Sequence, residues 1–391
     1  MAEITFTAAE RRRGVAAATG CISIVGLMTG LVWPLLALRL DAAGVDSRLI
    51  GFSSAIHALA IVVGSLIAPR LVGRLGLINT IYGCIAAAIA ALLLLPLFPN
   101  VYAWFPIRFA LGAATSTIFV AGETWIIQVA PSETRGRIVG IFGFVWAAAF
   151  AAGPLVIGIT GIGGWAPFLA AAGIALLGAL PLPLAQGGAL TMAPAGRLDI
   201  RRLFRVGPAT LLAVVLLAVF DSVNDSFLPL YGLRSGLGEP VAVTVLTVVL
   251  AGTTLVQIPI GWLADRIDRR RLLIAIPVVA IVMLLAFPFA IASPWLLWPV
   301  ALMYGAAIGR LWAVSLILVG ERYRGADVAA ANMARGVLYG LGAFAGPSMA
   351  GFAFELWTPH GVLALIALFA LLFLPIAVFG ERGPPAPRTQ V

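Results

Sequence analysis

The sequence predicts an all-α integral membrane protein of about twelve transmembrane helices, arranged as two pseudo-symmetric six-helix bundles. Three observations carry that expectation. Of the 391 residues 62% are hydrophobic and only 10% charged, with a mean hydropathy of +1.07, so lipid is the solvent for most of the chain. Apolar runs of about 20 residues, the length that crosses a bilayer, recur from end to end. The polar breaks and short motifs of the first half return in register in the second, as internal repeats require.

Each span follows from its limits. Arg11, Arg12 and Arg13 precede the first apolar run, Gly14 to about Leu38. That run is longer than the apolar core of a secretory signal and long enough to cross, so it is expected to stay as the first helix. The second run, 48–68, ends at PRLVGRLG (69–76), and the third fills 77–98. Pro99-Asn100-Val101 leaves room only for a hairpin before the fourth, 102–128; PSETRGR (131–137) leads into the fifth, 138–160, and the sixth lies at 166–185. Residues 186–206 are the longest polar segment, with Gly187-Gly188, Pro194 and four arginines. They form a cytoplasmic linker that separates a bundle over 1–185 from a bundle over 207–391. The remaining spans are expected at 207–232, 241–263, 272–291, 295–320, 328–353 and 360–379, with GWLADRIDRRR (261–271) between the eighth and ninth and GERYRGAD (320–327) between the tenth and eleventh.

Charge fixes the orientation. Every basic residue is an arginine, and the net charge is +9. With both termini cytoplasmic, nineteen of the 25 arginines fall on the inner side, three (Arg39, Arg48, Arg234) outside and three (Arg108, Arg310, Arg335) within spans. This is the positive-inside pattern and supports an even number of spans. The basic excess is thereby assigned to loops and not to nucleic acid. A multi-pass protein of a bacterial inner membrane is expected, monomeric, with membrane lipids around it. Cys21 and Cys84 lie inside apolar runs and read as buried thiols. No phosphate-binding loop of the Walker type occurs. With only His57 and His360, neither a metal site nor an enzyme is expected, and no cofactor is implied.

The repeat is specific. PRLVGRLG and GWLADRID both place Leu third and Arg sixth, arginine-glycine turns follow spans four and ten, and Ala-Gly-Pro recurs at 152–154 and 345–347 with a glycine four residues beyond each proline. On these motifs the chain resembles the major facilitator superfamily of transporters over nearly its whole length. GWLADRIDRRR resembles the family's loop signature, Arg108-Phe-Ala-Leu-Gly112 its fourth-helix motif and AAGPLVIG its fifth-helix motif. The Gly122-Glu123-Thr124-Trp125 stretch followed by TRGR, with the arginine-glycine loop at 70–76, is similar to the YcaD-like branch. The resemblance implies two bundles rocking about a central site lined by spans 1, 4, 7 and 10. It also implies a conformational latch, in which Asp265, supported by Gly261 and Arg266, docks at the start of span five near Arg135 and Arg137, where helix amides and the dipole receive a carboxylate. The first half departs from the signature, with Gly73 in the aspartate position and Pro69 in the glycine position. The first span lacks the acidic residue of many proton-coupled exporters. Gly153, Pro154, Gly346 and Pro347 would supply kinks and close helix contact.

Ionisable groups within spans are costly and mark function by default. Arg108, Glu123, Asp221, Asp225, Arg310, Arg335 and His57 are the candidates. In FDSVNDSF (220–227) the two aspartates lie one helical turn apart, with Asn224 beside Asp225. Two close carboxylates in low dielectric cannot both ionise easily, which is what a proton carrier needs. Helical rise brings Asp221 and Arg310 to similar depth, where they would form either a cavity pair or a static structural one. By the resemblance Arg108 would assist proton transfer or bind an anion. Glu123 reads as a functional carboxylate or an interfacial partner of Arg135 or Arg137. Arg335 is expected at the cytoplasmic interface or in a gate, and His57 as a packing residue or a switch. Trp33, Trp125, Trp146 and Trp312 lie within spans, which suits an aromatic or amphipathic substrate or simple packing. The expected function is a secondary transporter, proton-coupled and exporting a small organic or amphipathic compound. An uncoupled facilitator, a proton symporter of a small metabolite and a lipid-handling transporter remain as alternatives.

Overall fold

A computed structural model describes residues 8–98, 100–130, 134–184, 204, 207–256, 269–323 and 326–380. Among these, every regular element is helical. The helices are α1 (Ala8–Ala42), α2 (Ser47–Leu75), α3 (Leu77–Leu94), α4 (Val101–Val129), α5 (Arg135–Thr160), α6 (Ala166–Leu177), α7 (Pro208–Arg234), α8 (Glu239–Leu255), α9 (Arg269–Ile291), α10 (Pro294–Ile308), α11 (Arg310–Arg322), α12 (Ala326–Leu356) and α13 (Gly361–Phe379). Ten helices of the described chain are long and apolar enough to cross a membrane, and Glu239–Leu255 and Pro294–Ile308 are shorter apolar helices.

Local chemistry sets the helix limits and departs from the apolar runs in three places. First, α1 begins before Arg11 and runs on to Ala42, because the polar ends of the run still satisfy their backbone groups within the helix. Second, PRLVGRLG is not a loop. α2 continues through Arg70 and Arg74 to Leu75, and the whole turn is Gly76 at φ 78°, a left-handed conformation open to glycine, after which α3 starts at once. Third, the tenth span is two helices meeting at Gly309. A side chain there would come within 2.8 Å of Thr253 Cα on α8, so close approach of α8 fixes the glycine at the junction. Other ends follow familiar rules. Asn100 caps α4 by accepting from the Tyr102 N–H at 2.9 Å. Gly161 (φ 67°) closes α5, and Pro208 opens α7 in the first turn, where its missing N–H costs nothing.

The packing of the chain separates two units, one of Met1–Asp46 with Ile56–Pro194 and one of Ser47–Ala55 with Ala195–Val391. In the first unit α1 is central and packs on α4, α5 and α6, with α3 against α4 and α6. Gly30 and Gly153 meet backbone to backbone, so that a side chain on either would strike the other helix. In the second unit α7 is central and packs on α8, α11, α12 and α13, while α9 and α10 close the far side. Gly346 repeats the role of Gly153, since a Cβ there would lie 3.0 Å from Ser222 Oγ and 3.1 Å from Val219 Cα of α7. Pro154 and Pro347 each follow these contact glycines inside their helices. The glycines four residues further on differ. Gly158 faces open space, whereas Gly351 lies on Arg48 at the first turn of α2, where the Ser47 N–H also donates to Glu355 Oε1 at 3.3 Å. Large apolar side chains such as Ile159, Phe289 and Leu372 stand on the outer surfaces of these units, as a hydrocarbon solvent permits.

Candidate functional site

In the second unit the site is built on α7, whose residues from Ala209 to Gly232 are almost all buried. Asp221 is the half-buried exception in the stretch Asp221–Gly232. Its Oδ2 accepts a hydrogen bond of 3.0 Å from the Tyr339 hydroxyl of α12. One turn on, Asp225 is 5% exposed, and its Oδ1 meets no hydrogen-bond donor in the described structure. Asn224 turns to another helix. Its Nδ2 donates to the Phe220 carbonyl at 2.7 Å and to Tyr304 Oη of α10 at 3.1 Å, and the Tyr304 hydroxyl donates back to Oδ1 at 3.2 Å. Tyr304 is held by Phe220 and Phe287, with ring centroids at 4.7 and 5.6 Å. About one turn of a single helix thus sends polar groups to α12, to α10 and to an enclosed interior.

Tyr339 leads to a second feature. Its ring stands edge-on to Trp312 of α11 at 6.0 Å, and the Arg335 guanidinium lies 4.4 Å over the other end of the contact, the Trp312 ring. Arg335 is 2% exposed; its Nε donates to Ser315 Oγ at 3.0 Å and an Nη to the Trp312 carbonyl at 3.1 Å, while Ser315 donates to the Thr210 carbonyl of α7 at 2.7 Å. Arg335, expected at the cytoplasmic interface or in a gate, is held here by partners of its own unit. Its fork matches acceptors on a neighbouring helix, and a stacked aromatic face is a place where a weakly hydrated guanidinium can be buried.

In the first unit Arg108 of α4 and His57 of α2 are both buried, at 2% and 3% exposure, and close enough for the arginine charge to act on the ring. Gly112, the last residue of the fourth-helix motif, makes that fit possible, because a Cβ on it would lie 2.8 Å from the His57 carbonyl oxygen and 3.1 Å from Nδ1. His57 stands edge-on to Trp33 of α1 at 5.1 Å, Trp33 edge-on to Phe150 of α5 at 6.5 Å, and Trp146 is stacked on Phe150 at 5.4 Å. A narrow hollow lies between Met28, Thr29, Val32, Trp33, His57, Leu111 and Thr115. Trp125 is buried further along α4, against Gly14 of α1, and Glu123 on the same helix is exposed.

The sequence-predicted residues thus divide. Asp221, Asn224 and Asp225 share a helix but not a partner, His57 and Arg108 come together, and Glu123 and Trp125 face different surroundings. The Arg310 and Arg135 side chains lie outside the described ones, so the Asp221–Arg310 pair is not seen, and Tyr339 is the partner Asp221 does have. Gly261, Asp265 and Arg266 lie outside the described residues, and Arg137 is exposed. Sequence reasoning missed Tyr339, Tyr304, Ser315 and Thr210. The available signal was a tyrosine hydroxyl within a span, which seeks a partner when buried, and in Tyr339 it sits one turn from Arg335.

Membrane-crossing helices in two repeated units, with acidic and arginine side chains buried inside the spans, define a polytopic membrane transporter. The family model of the Major Facilitator Superfamily matches residues 18–253 and 210–390, and the chain belongs to that family. Its similarity to an uncharacterized MFS-type transporter of Bacillus subtilis (strain 168), YfkF, is 23% identity over 89% of this chain and 90% of that protein. To the uncharacterized MFS-type transporter YE1530 of Yersinia enterocolitica it is 25% over 83% and 85%. The fold is similar to the nucleoside transporter NupG, with a TM-score of 0.76 at 14% identity covering 96% of this chain and all of that one. It is also similar to a bacterial homolog of the human lysosomal transporter Spinster in an inward-facing, unoccupied conformation, with a TM-score of 0.69 at 16% identity covering 96% and 97%. The chain is a transporter of small molecules and not an enzyme.

Proposed function

We propose that this chain is a secondary active transporter that works by alternating access and couples export of a small organic or amphipathic compound to protons through Asp221 and Asp225. The observation that carries the reading is the carboxyl pair on α7, one turn apart, with Asp221 facing a neutral tyrosine hydroxyl and Asp225 holding an oxygen that meets no donor. A charge in such surroundings is costly unless paired. Exchange of a proton with solvent is therefore the natural chemistry of the pair, and the half-buried position of Asp221 gives that proton a way in. Asn224 and Tyr304 fix the helix against α10 beside it. Arg108 and His57 supply polar contacts in the first unit. The bundles are assigned to 1–185 and 207–391 with a linker at 186–206, and Asp265, with Gly261 and Arg266, is assigned as the latch toward Arg135 and Arg137. Arginine placement supports cytoplasmic termini in a bacterial inner membrane, and a monomer in lipid suffices for the mechanism.

The test is to reconstitute the full chain in liposomes holding a pH-sensitive dye and to screen pooled metabolites and amphipathic compounds for substrate-dependent proton movement. The reading expects a signal in the wild type that Asp221→Asn abolishes. Substrate flux with no proton movement would leave the chain an uncoupled facilitator and return both aspartates to structure.

A further inference from the structure

The carboxyl pair of the second unit leaves Glu123 unused. It is the one acidic side chain of α4, it lies inside the helix and exposed, and among the described residues it meets no cation. A carboxylate turned to hydrocarbon is costly, so the face that carries it opens on water or on a charged partner. Helical side chains tilt toward the N-terminus of their helix, which sets Glu123 over the turn of Phe119 and away from the start of α5, where Arg135 and Arg137 lie. That turn is aromatic. Phe119 leans on Trp146 of α5 with ring centroids at 5.2 Å, and Trp146 is stacked on Phe150 at 5.4 Å with 27° between ring planes. All three rings are half-buried, so each keeps part of its surface open. Both α4 and α5 pack on α1, which is the floor beneath the rings. A Cβ on Gly26 of α1 would lie 2.8 Å from Trp146 Cδ1 and 2.9 Å from its Nε1, and one turn earlier Ile22 fills the space beside Gly122, the neighbour of Glu123. Glu123 and Trp146 are thereby held at levels about 5 Å apart along α1, the rise of one turn.

We infer that this open face of the first unit, over α1 between α4 and α5, is a binding site for an organic monocation, an ammonium group carried on an aromatic or branched apolar body. Glu123 takes the charge, since one carboxylate matches one positive group. The open surfaces of Phe119 and Trp146 take the alkyl substituents of the ammonium and the apolar body, by cation–π attraction and by burial. A divalent metal ion is not served here, because it wants six or more oxygen ligands and the neighbours of Glu123 on this face are carbon rings. Among the described residues no group of three His, Cys, Asp or Glu side chains stands together. The inference rests on the reading of the chain as a transporter of small organic molecules and names the class of its cargo. Cargo and proton then use different carboxylates, one set in each unit.

The test measures binding of tritiated (4-phenylbutyl)trimethylammonium, whose charge does not depend on pH, to the purified full chain in detergent. Saturable binding is expected, displaced by 4-phenylbutylamine and not by 4-phenyl-1-butanol, which has the same body and no charge. Glu123→Gln and Trp146→Leu should each weaken binding about fivefold, and Glu123→Asp, which keeps the charge, should weaken it less than Glu123→Gln. Absence of saturable binding, equal displacement by the amine and the alcohol, or unchanged affinity in Glu123→Gln would overturn the inference. Displacement by phosphatidylethanolamine and not by the free amine would give the site to a lipid head group and overturn it as a cargo site. The amine and the alcohol are compared on wild-type protein, so that arm stands even where a variant fails to fold. Cation binding with these dependences but no proton movement in liposomes would sink the coupled reading and leave this site standing. Proton movement driven by some compound, with no cation bound, would do the reverse.

Discussion

Tyr339 is the residue that most sharpens the account. It is the partner of Asp221, and its hydroxyl reaches across from another helix. Tyr339→Phe removes one donor to a half-buried carboxyl group while preserving the ring against Trp312, so it should slow substrate-driven proton movement on the order of tenfold with little loss of folded protein. Liposome flux beside a melting curve checks both halves of that prediction. Arg335→Lys belongs to the same network. A lysine cannot span Ser315 and the Trp312 carbonyl while stacking on the ring, and the variant should lose about 1 kcal/mol of stability by thermal unfolding in detergent. The charged residues of this region were legible because charge inside an apolar run stands out. Their partners were not, because Tyr339, Ser315 and the Thr210 carbonyl are neutral. Hydroxyl residues in spans usually spend their hydrogen on a carbonyl one turn back, as Thr29 and Thr124 do, so nothing in the sequence singles out those that cross between helices.

At the scale of the helices, the repeated Ala-Gly-Pro motif proves to be a packing device in both units, with Gly153 seated on Gly30 and Gly346 on Val219 and Ser222. Gly153→Leu should abolish the folded form, because backbone on α1 occupies the space a side chain needs, while Gly158→Ala meets open space and should gain up to about 1 kcal/mol from helix propensity. Comparative unfolding of the two variants separates a contact glycine from an idle one, which pattern alone could not do. Span positions were readable for a plain reason, since the apolar run has to match the bilayer. The turn at Gly76 and the break at Gly309 were not, because one arginine-bearing stretch continues as helix and a glycine at a junction looks in sequence like a glycine anywhere else in a span. The meaning of a glycine is set by what approaches it, and that comes from tertiary packing.

For the whole molecule, family membership rests on a match that runs along nearly the whole chain at low identity, whereas a shared fold does not fix the cargo. The latch is the prediction proper to this scale. Asp265→Asn should raise the labelling of single cysteines on the cytoplasmic side, and unchanged labelling in active protein would remove Asp265 from that role. The central claim is that a proton gradient does work through the α7 carboxyl pair. Its most direct measurement is the accumulation of a transported compound in liposomes under an imposed pH gradient, for wild type, Asp221→Asn and Asp225→Asn side by side. The account predicts accumulation above the outside concentration in the wild type and mere equilibration in the variants. Equal accumulation in all three, or a wild type that only equilibrates whatever the gradient, would contradict it.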